Sequence, residues 1–477
     1  MCNGRIGFWR TGERTFIGGT AMAKRIPVVN QMVCWVVCAA LATVLILGAG
    51  ATQAAPTSIY WDINSTTAGA GGTTPSGNWD GATANWNTDS TGGAGGALSA
   101  TTSSGTSGTI AVFSAGTDAT GDYTVTVSGT QNASGLLVED GNVTLSGGTI
   151  VVDQGDNGTT IGASNGHNLI INSTLNAPHA TYAFALKAST GNLTLNAANN
   201  ITGYISMGLN ANGRLNLGNA GALGTGSLRI DNNGTRTIDN TSGNAMTLAS
   251  NGILFNASGV HTLKFIGTND LTFGGAVSSG NSAKTVQVDA GKLTFNAGLT
   301  GGGAAASLTK TGAGTLIING NSSTYTGAIN VNAGTLGGTT SLSGTVTVAA
   351  GATLAPGSSP GTLGTGTLIL NDTSVLDFDL DALAGPNDKI AVTGNLTLDG
   401  ILNVTNLGGL QAGQYTLLTY TGTLTDNGLS LGTMPGGFTY GIDTGTSGSV
   451  ILNVIPEPAT VALLVLGGVG ALLRRRR

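Results

Sequence analysis

The chain has 477 residues, including 80 glycines with no Gly-X-Y period, and only 9% of residues are charged, which excludes a collagen-like fibre. At 40% hydrophobic content with sparse charge it also falls outside the composition of disordered chains. Between Ala55 and Ile455 there are 9 Lys and Arg against 21 Asp and Glu, a net of −12. No Lys or Arg lies between Arg25 and Lys187, so no basic face for nucleic acid is available. The acidic exterior fits solubility or weak calcium attraction. Length alone would suggest roughly two or three domains. A Gly-, Thr-, Asn- and Ala-rich chain with short apolar alternations instead suits a β-solenoid, which needs recurrent tight turns and few bulky residues.

Residues 1–54 read as an N-terminal extension and signal peptide. Met1 to Thr20 is charged and patternless. Met22-Ala23-Lys24-Arg25 starts the signal, Gln31 to Ala51 is its apolar core, and Ala51-Thr52-Gln53-Ala54-Ala55 offers small residues for cleavage. A cut after Ala54 or Ala55 is expected. The apolar run is long for a signal, so an uncleaved anchor is the alternative. Cys2, Cys34 and Cys38 are the only cysteines, so the cleaved product would have no disulfide, zinc thiolate or cysteine nucleophile.

Residues 55–108 form a tryptophan-containing N-terminal cap region. Trp61, Trp79 and Trp86 are three of the five tryptophans. A solenoid needs a lid over its open end, and indoles fill one well. The same rings could stack on sugars, pairing flat apolar faces with a polar tip.

Residues 109–404 carry the repeats. Tyr123-Thr124-Val125-Thr126-Val127 alternates with period 2, as a half-buried strand does. A glycine, a variable residue and an alternating apolar pair then recur, as in Gly191-Asn192-Leu193-Thr194-Leu195, Gly213-Arg214-Leu215-Asn216-Leu217 and Gly291-Lys292-Leu293-Thr294-Phe295. The motif returns at Gly314, Gly334, Gly366 and Gly394. The spacing of about 20–23 residues is that of one solenoid coil. Dividing ~400 residues by ~22 predicts about 18 coils and a rod on the order of 85 Å.

The most specific stretch is 307–338. Leu308-Thr309-Lys310-Thr311-Gly312-Ala313-Gly314-Thr315-Leu316, then Asn319-Gly320-Asn321-Ser322 and Val331-Asn332-Ala333-Gly334-Thr335-Leu336, resemble the autotransporter-associated, or passenger-associated, β-strand repeat. Gly351 to Gly361 and Asn387 to Gly394 look like the segments that follow it. The resemblance implies a right-handed parallel β-helix of the passenger type. True autotransporters end in an outer-membrane barrel. Here about 50 residues separate Val404 from Pro456, so self-secretion is not expected.

Within this region Asp377, Asp379 and Asp381 share one strand face opposite Leu376, Phe378 and Leu380, with Asp372 and Asp388 nearby. The bland reading is a solvated face. The alternatives are a calcium site or a catalytic carboxylate pair. No other cofactor is indicated. His167, His179 and His261 lack metal-ligand spacing and read as surface residues, and no Gly-x-Ser-x-Gly elbow lies in an α/β pattern.

Residues 405–455, with strand-like Gln414 to Tyr420 and Ser449 to Val454 around a Pro435-Gly436-Gly437 turn, form a C-terminal β cap or stalk. Residues 456–477 follow as Pro456-Glu457-Pro458, an uncharged run at 459–473 and Arg474-Arg475-Arg476-Arg477. At 1.5 Å per residue the run gives roughly 22 Å, short of the ~30 Å hydrocarbon core, and arginines can reach out to the headgroups. A short transmembrane helix with cytoplasmic arginines is expected. This order closely resembles the PEP-CTERM sorting signal. That resemblance implies an exosortase-type membrane protease as partner, transient membrane residence, and delivery to the cell surface or an extracellular polysaccharide matrix. A plain C-terminal anchor is the alternative. The sequence thus points to a non-enzymatic exported structural protein, ahead of a glycan-binding adhesin and a polysaccharide-degrading β-helix enzyme.

Overall fold

The computed structural model describes residues 55–153, 159–164, 166–187, 191–209, 213–358 and 360–457. The signal peptide, Pro458, the apolar run and the four arginines expected from the sequence lie outside the described residues.

The glycine-punctuated alternations fold as short strands that stack coil upon coil in parallel. One face is a 12-stranded sheet from Thr57–Trp61 to Leu299–Thr300, ended by antiparallel Trp86–Asn87 and Leu98–Ser99. A second face is a 15-stranded sheet from Gly77–Trp79 to Leu424–Asp426. The third begins as four strands, Thr130–Ala133 to Asn200–Ile201, and resumes as nine, Met246–Leu248 to Ser430–Leu431. A five-stranded sheet finishes the described residues, with Gly413–Tyr420, Ser449–Pro456 and Phe438–Asp443 antiparallel. The parallel coil therefore runs past Val404, to Leu424–Asp426 and Ser430–Leu431.

The result is an all-β solenoid of about 13 turns, not the 18 expected. A uniform period was the wrong assumption. Val331 pairs with Val348, a step of 17 residues, whereas Leu368 pairs with Leu396, a step of 28. At ~4.8 Å per coil the stack is roughly 60 Å long.

The core follows from the register. Val143, Leu169, Leu193, Leu215 and Ile238 occupy one inward row on successive coils, and all are fully buried. Each such side chain contributes about 1.5–3 kcal/mol by leaving water. At the start of the same strands, Asn142 donates to Asp122 (2.7 Å), Asn168 to Asn142 (2.9 Å) and Asn192 to Asn168 (2.8 Å), an amide ladder that fixes register. Glycine is required where coils touch. Gly334 has φ +64, and a Cβ there would stand 2.4 Å from the Gly312 carbonyl oxygen.

Candidate functional site

The nine-stranded face carries a groove of about 790 Å³. The row Thr272, Thr294, Ile317 and Gly337 continues through Ala355, and Asp377 follows opposite Asn403. Gly337 has no side chain and Ala355 only a methyl, so the sheet surface dips between Ile317 and Asp377. A Cβ on Gly337 would meet the Ala355 carbonyl oxygen at 2.6 Å and Ile317 Cδ1 at 3.0 Å. One wall is knitted by Asn319, whose Oδ1 accepts from Ser358 Oγ (3.0 Å) and Thr339 N (3.2 Å). Asp270 and Lys292 line one end, and Asp377, Asp379 and Asp388 the other.

The acidic strand Val375–Leu380 alternates as expected, with Leu376, Phe378 and Leu380 buried and Asp377 and Asp379 half-buried outside. Asp381 lies beyond the strand end, where its N–H donates to Asn387 Oδ1 at 2.6 Å. Asp377 Oδ1 accepts from Asn403 Nδ2 at 2.8 Å. Asp388 is buried, and its carboxylate accepts from Gly361 N (2.7 Å) and Asp379 N (2.9 Å). Burial pushes Asp388 up to about 6, against the pull of those donors. Among the described residues, no three His, Cys, Asp or Glu side chains converge as metal ligands.

Trp61, Trp79 and Trp86 meet at the N-terminal end, where all three are at most 1% exposed. Trp86 stands edge-on to Trp61 at 5.1 Å and to Trp79 at 5.2 Å, with Phe113 completing the cluster. Trp61 Nε1 donates to the Pro75 carbonyl at 2.7 Å. As placed, these rings offer no free face to a sugar.

Four buried cationic or imidazole side chains point into the second sheet's core. Arg236, His261, Lys284 and Lys310 come from four successive coils. Backbone carbonyls receive them. Lys310 Nζ donates to Thr311 O (2.9 Å), Gly312 O (2.8 Å) and Ala333 O (3.1 Å). Lys284 Nζ reaches Gly259 O (2.9 Å), and Arg236 Nη2 reaches Asp231 O (3.1 Å). Both ring nitrogens of His261 face carbonyls, Asn232 O at 2.7 Å and Ser258 O at 2.8 Å. Placing His261 at the surface is thus corrected. The missed signal was phase: each residue sits two or four positions from an inward Ile, Leu, Val or Phe.

On the first face, Tyr182 and Tyr204 lie 6.4 Å apart, and Arg229 sits 5.0 Å over the Tyr182 ring while pairing with Asp231 at 2.8 Å. At the other end of the chain, Pro456 belongs to the last strand, in register with Phe438. The Glu457 N–H faces the Gly437 carbonyl at 3.5 Å. The Pro456-Glu457 half of the sorting motif therefore abuts the folded cap.

Comparison with known proteins matches two parts of the chain. A passenger-associated-transport-repeat covers residues 308–337 and a PEP-CTERM protein-sorting motif covers residues 454–477, the two resemblances read from the sequence. The repeat falls on Ser307–Thr311, Thr315–Ile318, Ala328–Val331 and Thr335–Gly338, strands of successive coils. The chain is also similar to the adhesin BmaC autotransporter of Brucella suis biovar 1, with 44% identity over 105 residues. That match covers 20% of this chain and 3% of the adhesin, so the chain spans a small part of that relative.

Proposed function

We propose that the protein is a non-enzymatic, exported β-solenoid, delivered to the cell surface or to an extracellular polysaccharide matrix through its C-terminal signal. The carrying observation is the sorting motif over 454–477, which begins within Ser449–Pro456, the strand that completes the cap. Such a motif implies recognition by an exosortase, a membrane protease. In this reading the segment 459–473 crosses the inner membrane, Arg474, Arg475, Arg476 and Arg477 stay cytoplasmic, and the solenoid lies outside. Mass spectrometry of the mature protein should find its C-terminus near Pro458. An intact Arg477 on a surface-exposed product would reject processing and leave a plain anchor.

A second reading, an adhesin, is supported by the similarity to a protein named as one. The repeat matched in both the sequence and the family comparison belongs to passengers displayed outside the cell, which suits either reading. Retention of intact protein-coated beads on host or bacterial surface material would favour adhesion, and inert beads would favour the structural role.

A further inference from the structure

We propose that the groove on the nine-stranded face binds a linear, hydroxyl-rich polysaccharide, uncharged or amine-bearing, laid along the solenoid axis. The strands beneath it run from Leu271–Phe273 to Ile401–Asn406, seven coils that span roughly 30 Å at the inter-strand spacing. That is a track for a chain and not a pocket for a small molecule.

The lining selects the ligand class. Its side chains are mostly threonine, asparagine and aspartate, which supply both donors and acceptors to hydroxyl groups. A peptide strand has nothing to pair with. The central strand Thr335–Gly338 is hydrogen-bonded on both sides, to Thr315–Ile318 and Thr353–Pro356, so no backbone edge is open for β-augmentation. Only half-buried Ile317 offers an apolar wall of any size, which is too little to anchor peptide side chains. Charge excludes acidic polymers: Lys292 is the one basic residue along the groove, and Asp377 and Asp379 dominate the far end. The floor explains why a chain fits, because the dip at Gly337 and Ala355 lies midway along the track. The walls are already fixed by Asn319 and Asn403, so little ordering is needed on binding.

The biological setting rests on the exported reading, but binding by the purified protein does not. The test is affinity electrophoresis and titration calorimetry with a neutral glucan, a chitosan oligosaccharide and a polyuronate. Wild type should bind the first two and not the third. Ala355→Tyr fills the floor from an outward, half-buried position and should weaken binding at least about tenfold, one decade in Kd, with the thermal midpoint unchanged. Asp377→Asn keeps an acceptor for Asn403 and should weaken chitosan more than the neutral glucan. Undiminished binding in Ala355→Tyr, binding confined to the polyuronate or to extended peptides, or no binding to any of the three would overturn the proposal. The C-terminus found near Pro458 would stand or fall separately.

Discussion

Lys310 joins two coils with one ammonium, since Thr311 and Gly312 belong to its own corner and Ala333 to the corner above. Burial pushes this lysine down to about 8, and Lys284 is lowered by the same cause. The unfolded lysine keeps its proton to about 10.4, while the folded one loses it above about 8. Between these values the unfolded state binds more protons, so stability rises with pH. Above pH ~10 the trend reverses, because burial pushes Tyr123 and Tyr325 upward and only their unfolded forms ionise. Urea midpoints should therefore climb from pH 8 to pH 10. Lys310→Met should flatten most of that climb, leaving the part due to Lys284. An unchanged slope would show that the buried ammonium does not titrate in this window. Lys310 was in plain view within the repeat, yet charge argued for the surface and phase for the core, and phase won because turn carbonyls satisfy the cation.

At the scale of elements, the tryptophan cluster closes the N-terminal end of the stack. Trp86 lies between Trp61 and Trp79 and against Phe113, so Trp86→Ala would leave a cavity costing about 3–5 kcal/mol. In a solenoid each coil contacts only its neighbours, so the damage should remain local. Hydrogen exchange should quicken in Thr57–Trp61 and Gly77–Trp79, with Leu396–Leu398 unaffected. Uniform loss of protection would mean that the stack unfolds as one unit. Strand positions were legible because inward leucines and corner glycines are printed at fixed phase. Coil number was not, because a loop such as 381–388 lengthens a turn without disturbing the strands around it. The groove was equally hidden: Gly337 and Ala355 are unremarkable until the register sets them side by side beneath Asp377.

At the scale of the whole solenoid, two ends must be covered, since each presents unpaired strand edges and an open core. At the C-terminal end the task falls to the antiparallel pair Phe438–Asp443 and Ser449–Pro456, joined to Gly413–Tyr420. Phe438, Tyr440 and Ile442 lie against the core, and Tyr440 Oη donates to the Pro435 carbonyl at 2.7 Å. The cap reaches Pro456, where the Pro-Glu-Pro motif starts. A cut after Pro458 would spare every strand of the cap, whereas a stop at Leu431 would remove the pair and bare the edge of Gly413–Tyr420 that Ser449–Pro456 covers. Protein ending at Pro458 should match the intact chain in thermal midpoint and remain monodisperse by light scattering. Protein ending at Leu431 should associate through its exposed end, growing with concentration. Association of the Pro458 form to the same extent would show that the last two strands do not close the stack, and that the sorting segment itself contributes to the lid.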